Sequence, residues 1–505
     1  MSYLAEKLYG IIYMTSRQVN LSIIVLRSLR VIEGATSNFF DNRSYEYKHN
    51  IETIATALNG FLRLLKGYGV KNYKFWANQQ SLDAISARYL GEQIYIRTSL
   101  RVRWLNTSQL TYYKATAIIT HLENFKKISA TSTFLLSLGS ERVSFSHFSK
   151  QKFASTWNID LGTAQVHEVS AALKPETSNP VEVLDDYIGS KLEHLRHVFS
   201  GNKEPSSLII QDAAAINSKY IPAGKSYFTM DSVNFDTVYQ KLINSSDQFI
   251  MDYFNVDENE VVRIVPYFLL IHKIIKLTNV EKIILTNITV SDGLALERAR
   301  KVGINKQHLE KIIITAAENI AGRYLTSKSH RENVSKIALH LFDQLKKIHH
   351  LGKRERLLLQ IACIVDDIGN YINQQGHYRH SAYILEANKL IGLSNEENQI
   401  IAEVSRYHSS ESPKSQQPHF QKLDPEVQMK VAKLAALLRL ADALDDSREE
   451  KINKISVSLR GTEMIIFAYS NQNLALENWS FHNKSDLFEK VFGIKPVLKQ
   501  RRQVK

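Results

Sequence analysis

Leu8-Tyr-Gly-Ile-Ile-Tyr-Met-Thr-Ser-Arg-Gln-Val-Asn-Leu-Ser-Ile-Ile-Val-Leu26 alternates apolar and polar positions, is rich in β-branched residues and places small polar residues at its midpoint. That pattern predicts a strand, a tight turn and a second strand. A helix follows from Ile51 to Tyr68, with Ile54, Leu58, Leu62 and Leu65 on one face and Gly67 and Gly69 as stops. Further strands are expected at Tyr73 to Trp76, Gln93 to Ile96 and Arg101 to Leu105, and a helix at Thr111 to Phe125. Mixed α/β is the class this half implies. From Leu8 to Ile32 there is no Asp or Glu.

A second strand-turn-strand, Thr133 to Phe145 with Gly139 at its turn, repeats the opening. Later segments alternate helical spacing (Val181 to Val198, Phe235 to Phe249) with strand-like runs (Ser206 to Ile210, Lys282 to Val290). Beyond about residue 306 the spacing is almost wholly helical, with Ser394 before Glu396 and Glu397 as a cap and Gly369 and Gly392 as stops. The expected division is 1–125 and 126–305 as two α/β halves, 306–450 as a helical domain and 451–505 as a small α+β extension.

A chain of 505 residues, 44% hydrophobic, is long enough for about three domains at roughly 100 to 200 residues each. Lys and Arg total 64 against 51 Asp and Glu, a net charge of +13 that favours an anionic partner. The one cysteine, Cys363, excludes an intrachain disulfide and a multi-cysteine zinc site, and a reducing cytoplasm is expected. No apolar run approaches the roughly 18 residues needed to span a bilayer, so no membrane partner is expected. Nor is nucleic acid, because Trp76, Trp104, Trp157 and Trp479 are scattered without basic-aromatic interleaving.

In the helical domain, Leu357-Leu-Leu-Gln-Ile-Ala-Cys-Ile-Val-Asp-Asp-Ile-Gly369 carries two carboxylates at the end of an apolar helix. Charges in that setting need a partner. His330, His380, His408 and Asp442 recur on other helices and are the candidates. Together with Asp366 and Asp367 they form either an ion-paired centre that ties helices together or a divalent metal site. Oxygen ligands suit Mg²⁺ or Mn²⁺.

This series resembles the ligands of the HD-domain phosphohydrolases, with Asp366 standing where that family has the His of its His-Asp pair. The segments Ile337-Ala-Leu-His-Leu-Phe-Asp-Gln-Leu345, Asp367-Ile-Gly, His380-Ser-Ala-Tyr-Ile-Leu385, Arg406-Tyr-His408 and Leu437-Leu-Arg-Leu-Ala-Asp-Ala-Leu444 carry a broader likeness. Over essentially its full length the chain is similar to the exopolyphosphatase and guanosine pentaphosphate phosphohydrolase family, as a divergent member. The resemblance implies two actin- and sugar-kinase-like (ribonuclease-H-like) α/β halves followed by an HD-type helical domain. It also implies Gly/Ser-rich turns whose backbone N–H groups hold a phosphate chain, a Glu base and acidic residues that hold Mg²⁺.

The corresponding segments depart from that pattern. Tyr13-Met-Thr-Ser-Arg-Gln18 replaces Asp-x-Gly-Ser-Asn-Ser, and Ser137-Leu-Gly-Ser-Glu-Arg142 replaces Asp-x-Gly-Gly-Gly-Ser. No acid lies between Glu92 and Glu123, where the base is expected, and Ile210-Gln-Asp-Ala-Ala-Ala215 lacks the third turn's glycine. Asp212 or Glu141 would have to substitute. No catalytic residue is assigned. Ser16, Arg17, Ser140 and Arg142 are the candidate phosphate-binding residues, since hydroxyls and guanidinium groups suffice to hold an anion. Two functions stay open: a protein that binds polyphosphate or a guanosine polyphosphate with weak or no hydrolysis, assisting a polyphosphate-metabolising enzyme, and an active exopolyphosphatase. A homodimer is compatible with either.

Overall fold

A computed structural model describes residues 8–38, 50–79, 82–139, 142–173, 177, 179–199, 204–305, 309–452 and 454–502. The chain divides into two compact units, 1–309 and 310–505.

In the first unit, β1 (Leu8–Met14) pairs antiparallel with β2 (Gln18–Val25), Leu8 opposite Val25 and Met14 opposite Val19. The period-2 alternation puts Ile12, Met14, Val19, Leu21 and Ile23 on one face, packed with Leu58, Phe61 and Leu65 of α1 (Ile51–Gly67) and Ile94 of α2 (Ala84–Thr98). Tyr9, Ile11, Tyr13 and Ile24 point to the opposite face. With β3 (Arg30–Asn38), β4 (Tyr73–Asn78) and β5 (Val102–Leu105) the sheet order is β3-β2-β1-β4-β5, where β4 and β5 run parallel to β1. The expected strand Gln93 to Ile96 is the last turn of α2. Asp83 caps that helix by accepting from the N–H groups of Ile85 and Ser86, and helical geometry leaves Ile94 buried and Ile96 exposed.

Helix α3 (Thr107–His121) leads to the second sheet. Its strands are β6 (Ser132–Leu138), β7 (Val143–Ser149), β8 (Lys152–Ile159), β9 (Ser206–Gln211), β10 (Tyr227–Asp231) and β11 (Val280–Thr286), in the order β10-β11-β9-β6-β7-β8. As in the first sheet, an antiparallel β6-β7-β8 meander is followed by parallel strands on the far side of its first strand. The two sheets are thus versions of one topology. Between β10 and β11 runs α4 (Glu258–Thr278), and β11 leads to α5 (Val290–Lys301), which lies against α3. Gly293 makes that approach possible, since a Cβ there would sit 2.1 Å from the Tyr113 carbonyl oxygen.

His147 on β7 stacks on Phe134 with ring centroids 4.7 Å apart and meets the Ser132 hydroxyl at 2.9 Å. Burial pushes its imidazole down to about 4. An unfolded His titrates near 6.5, so this site costs nothing above that pH and progressively destabilises the unit as pH falls from about 6.5 to 4, by up to roughly 3 kcal/mol. His147→Phe is expected to flatten that acid-side loss, read as the urea midpoint of the unfolding transition between pH 7.5 and 4.5.

The second unit is mainly helical: α6 (Lys328–Gln344), α7 (Lys353–Val365), α8 (His377–Ala387), α9 (Asn395–Arg406) and α10 (Pro425–Ala443). Helix α10 is central, with Leu434 through Asp442 all buried. The Ser394 cap is present as anticipated: its hydroxyl accepts from the Glu397 N–H, and Glu397 accepts from the Ser394 N–H. A three-stranded sheet of β12 (Lys454–Arg460), β13 (Glu463–Tyr469) and β14 (Lys495–Arg501) follows, with α11 (Ala475–Lys484) between its last two strands. A 3₁₀ turn at Ile368–Tyr371 presses against α8 through Gly369, where a Cβ would lie 2.0 Å from the His377 carbonyl oxygen. Among the described residues no helix is long and apolar enough to cross a membrane.

Candidate functional site

The β1–β2 turn is closed by one side chain. Thr15 N–H donates to the Gln18 carbonyl at 2.9 Å, and the Thr15 hydroxyl oxygen accepts from the N–H groups of Arg17 and Gln18 at 3.3 and 3.2 Å. Two amides that a phosphate-binding turn would present outward are satisfied inside the turn. Ser16 is buried and Arg17 half-buried. Arg17 is near enough to Glu260, in the first turn of α4, to act on it: burial and Asp257 raise the Glu260 carboxyl, and the guanidinium opposes them.

On the β6–β7 turn, Ser140 and Glu141 lie outside the described residues. Arg142 pairs with Asp160, just past β8, at 2.7 Å, and both side chains are substantially exposed. Such a pair contributes little stability, on the order of 0–1 kcal/mol, yet it gives the guanidinium a carboxylate partner already.

A tighter group stands at the ends of β6 and β9. Lys114 of α3 places its Nζ 2.7 Å from Asp212 Oδ2 and 2.6 Å from the Ser137 hydroxyl, which itself donates to Asp212 Oδ2 at 2.7 Å. Ser137 closes β6, and Asp212 follows β9 in a left-handed conformation, φ 62°. Gln211 anchors the loop through its amide to the Ile288 carbonyl, 3.0 Å. An ammonium group and a hydroxyl therefore occupy Oδ2 of Asp212, one of the two acids that the sequence offered as substitutes.

In the second unit the His and Asp residues form a buried ionic centre. Asp367, just past α7, gives Oδ2 to Arg448 at 2.6 Å and turns Oδ1 toward His377 Nε2 and His408 Nε2, each at 3.6 Å. The two Nε2 atoms are 3.2 Å apart. Each ring has its Nδ1 against a backbone carbonyl, His377 on Gln374 at 2.9 Å and His408 on Ser405 at 2.6 Å. Donation from Nδ1–H leaves the Nε2 lone pairs aimed at one another and at the carboxylate. Such an arrangement needs a proton or a cation between them. His408 carries charge readily: burial disfavours it, but Asp367 and Asp366 raise it overall. His377 is pushed down by burial and by the charge of His408.

Beside this trio, His330 on α6 joins Asp445 through Nδ1 at 2.7 Å and faces Asp442 from Nε2 at 3.3 Å. Lys484, closing α11, reaches Asp442 at 2.5 Å and Asp446 at 3.3 Å. Burial would discharge His330, yet its bonds to Asp442 and Asp445 raise it to about 10. Burial also opposes the Asp442 charge, but Lys484 and His330 hold that carboxyl well below the usual range. Asp366 is different: burial and the neighbouring carboxylates raise it to about 7 despite His408 and His330.

The structure thus gathers His330, Asp366, Asp367, His408 and Asp442 at one centre. The three groups whose ligand atoms lie within 4.8 Å of one another are Asp367, His377 and His408, the one such group among the described residues. His380, three residues along α8, is not part of it, and the histidine that converges with His408 is His377. Arg448, Lys484, Asp445 and Lys114 were also missed. The donor set fits a divalent cation: one carboxylate oxygen and two imidazole lone pairs converge, and Arg448 orients the carboxylate from its other oxygen.

Residues 312–486 match the family model described as Ppx/GppA phosphatase, domain III. Among solved structures, an exopolyphosphatase from Cytophaga hutchinsonii is 12% identical over 59% of this chain and 100% of its own, with a TM-score of 0.51. A Ppx/GppA family member from Aquifex aeolicus is 14% identical over 59% of this chain and 98% of its own, at 0.48. Residues 312–486 thus carry the likeness to domain III of the Ppx/GppA phosphatases, and the likeness to the Cytophaga exopolyphosphatase over 59% of the chain is one of fold.

Proposed function

We propose that this protein binds a phosphoanhydride chain, polyphosphate or a guanosine polyphosphate, in its actin-like unit and hydrolyses it weakly or not at all. The observation that carries the reading is the Lys114–Ser137–Asp212 group. A general base must direct a free lone pair at water, and a metal ligand must direct its charge at the ion. Asp212 directs one of its two oxygens, Oδ2, at both Lys114 and Ser137, and the ammonium group balances its charge. Losing a base costs roughly 10² to 10⁴ in rate, and no other acid lies on the α3 segment to replace it. The cations that remain, with a net charge of +13 over the chain, still favour an anionic ligand.

The helical unit is, in this reading, an HD-type domain whose Asp367, His377 and His408 hold Mn²⁺ or Mg²⁺. The cation would add structural rigidity to the centre.

Incubation of the purified protein with long-chain polyphosphate and Mg²⁺ or Mn²⁺ tests the function. The expected result is retention of the polymer with little phosphate release. Release at the rate of a competent family member would establish the active exopolyphosphatase instead, and neither release nor retention would sink both readings.

A further inference from the structure

On the face of the first sheet covered by α3 and α5 lies a cavity of about 280 Å³. Strand alternation builds it: Tyr9 of β1, Lys74 and Trp76 of β4 and Arg103 of β5 all point to this face, and Arg298 and Lys301 of α5 close over them. Lys74 and Arg103 sit near the beginnings of parallel strands, whereas the phosphate-binding turns of the proposed function lie at the ends of strands.

Its polar groups are unmatched. Tyr9 is 1% exposed, and among the described residues its hydroxyl has no hydrogen-bond partner; neither does the buried Nε of Arg298, whose guanidinium stands 5.0 Å over the Tyr9 ring. Lys74, Arg103 and Arg298 have no carboxylate within ion-pairing distance among the described residues. The cavity's acid, Glu297, is taken by Arg300 at 2.9 Å and Lys301 at 3.2 Å. Native structures rarely leave buried donors unused, because each costs roughly 1–3 kcal/mol. Burial and the neighbouring charges of Arg103, Lys301 and Arg298 push the Lys74 ammonium down, a repulsion that an anion would relieve. Every unmet group here is a donor or a cation, so the missing partner is an acceptor bearing negative charge.

We propose that this cavity is a binding site for a compact phosphoanion of the diphosphate class. Its volume lies just below the range of drug-sized ligand sites, roughly 300 to 1,000 Å³, which suits two linked phosphoryl groups and leaves little room for a nucleoside. Arg298 and Arg103 offer bidentate contacts, Lys74 a point charge, and the Tyr9 hydroxyl a single donor.

Isothermal titration of the full chain with inorganic pyrophosphate tests the site, with orthophosphate and ADP as parallel titrants to separate the free diphosphate from a nucleotide's. One saturable pyrophosphate event is expected, weakened about tenfold or more by Arg298→Met and by Arg103→Met, and less by Tyr9→Phe. Arg103 is exposed, so loss of binding there with an unchanged thermal midpoint cannot be ascribed to misfolding. Polyphosphate retention should persist in both arginine variants, which keeps this site distinguishable from the one at the turns. Tighter binding of ADP than of pyrophosphate would overturn the assignment to a compact anion. Absence of saturable pyrophosphate binding, or binding unchanged in Arg298→Met and Arg103→Met but lost in Arg17→Met, would overturn the site itself.

Discussion

Asp442→Ala is expected to destabilise the helical unit by about 3–5 kcal/mol, the usual cost of removing one partner from a buried ion pair. The reason is what stays behind. Lys484 and His330 both face this carboxylate, at 2.5 and 3.3 Å, His330 buried and Lys484 half-buried. Without Asp442 the Lys484 ammonium keeps the 3.3 Å contact with Asp446, and His330 keeps Asp445. Two positive charges then remain in an interior with one fewer counter-charge. Urea unfolding followed by far-UV circular dichroism measures the loss. The double variant Asp442→Ala/Lys484→Met should recover part of it, because deleting both members of a buried pair is far less costly than deleting one. A single-variant loss below about 1 kcal/mol would mean that the centre is not the electrostatic unit described here.

The second large effect concerns which histidine on α8 meets a cation. Mn²⁺ binding, measured by equilibrium dialysis with metal analysis, should weaken by at least about 100-fold in His377→Ala, since removing even an outer partner of a metal ligand costs roughly 10–100-fold. His380→Ala should leave it within about twofold. The prediction rests on geometry: His377 Nε2 stands 3.2 Å from His408 Nε2 and 3.6 Å from Asp367 Oδ1. The reverse pattern would restore the assignment that sequence spacing suggests. Unchanged Mn²⁺ content in both variants and in Asp367→Ala would leave a protonated, ion-paired centre in place of a metal site.

That exchange of histidines marks where the sequence was legible and where it was not. Strand-turn-strand units such as β1–β2 are local, and their alternation is written in adjacent residues, so the two sheets could be anticipated from Leu8 to Leu26 and Thr133 to Phe145. Gln93 to Ile96 misleads because four alternating residues satisfy a strand and the last turn of a helix equally well. His377 and His380 are separated by three positions on one helix. The choice between them is made by packing: the Gly369 turn lies against the His377 carbonyl and the Ser381 N–H, which fixes the rotation of α8. No spacing rule carries that information. Lys114, Arg448 and Lys484 were invisible for a related reason, since each meets a carboxylate from a distant part of the chain. Arg448 is also delivered from a left-handed backbone position, φ 57°, where periodicity says nothing about direction.

The closed β1–β2 turn bears on how a ligand would register in hydrogen exchange. Because Thr15 already engages the amides of Arg17 and Gln18, those two protons are shielded in the free protein. A phosphate chain seated on an open, glycine-lined turn slows its amides sharply on arrival. Here the same arrival would leave the turn's exchange rates nearly as they were, unless the ligand first displaced the Thr15 hydroxyl. Any ligand-induced slowing at Arg17 and Gln18 would therefore report a rearranged turn, and silence there would be the signature of an anion held through side-chain cations alone.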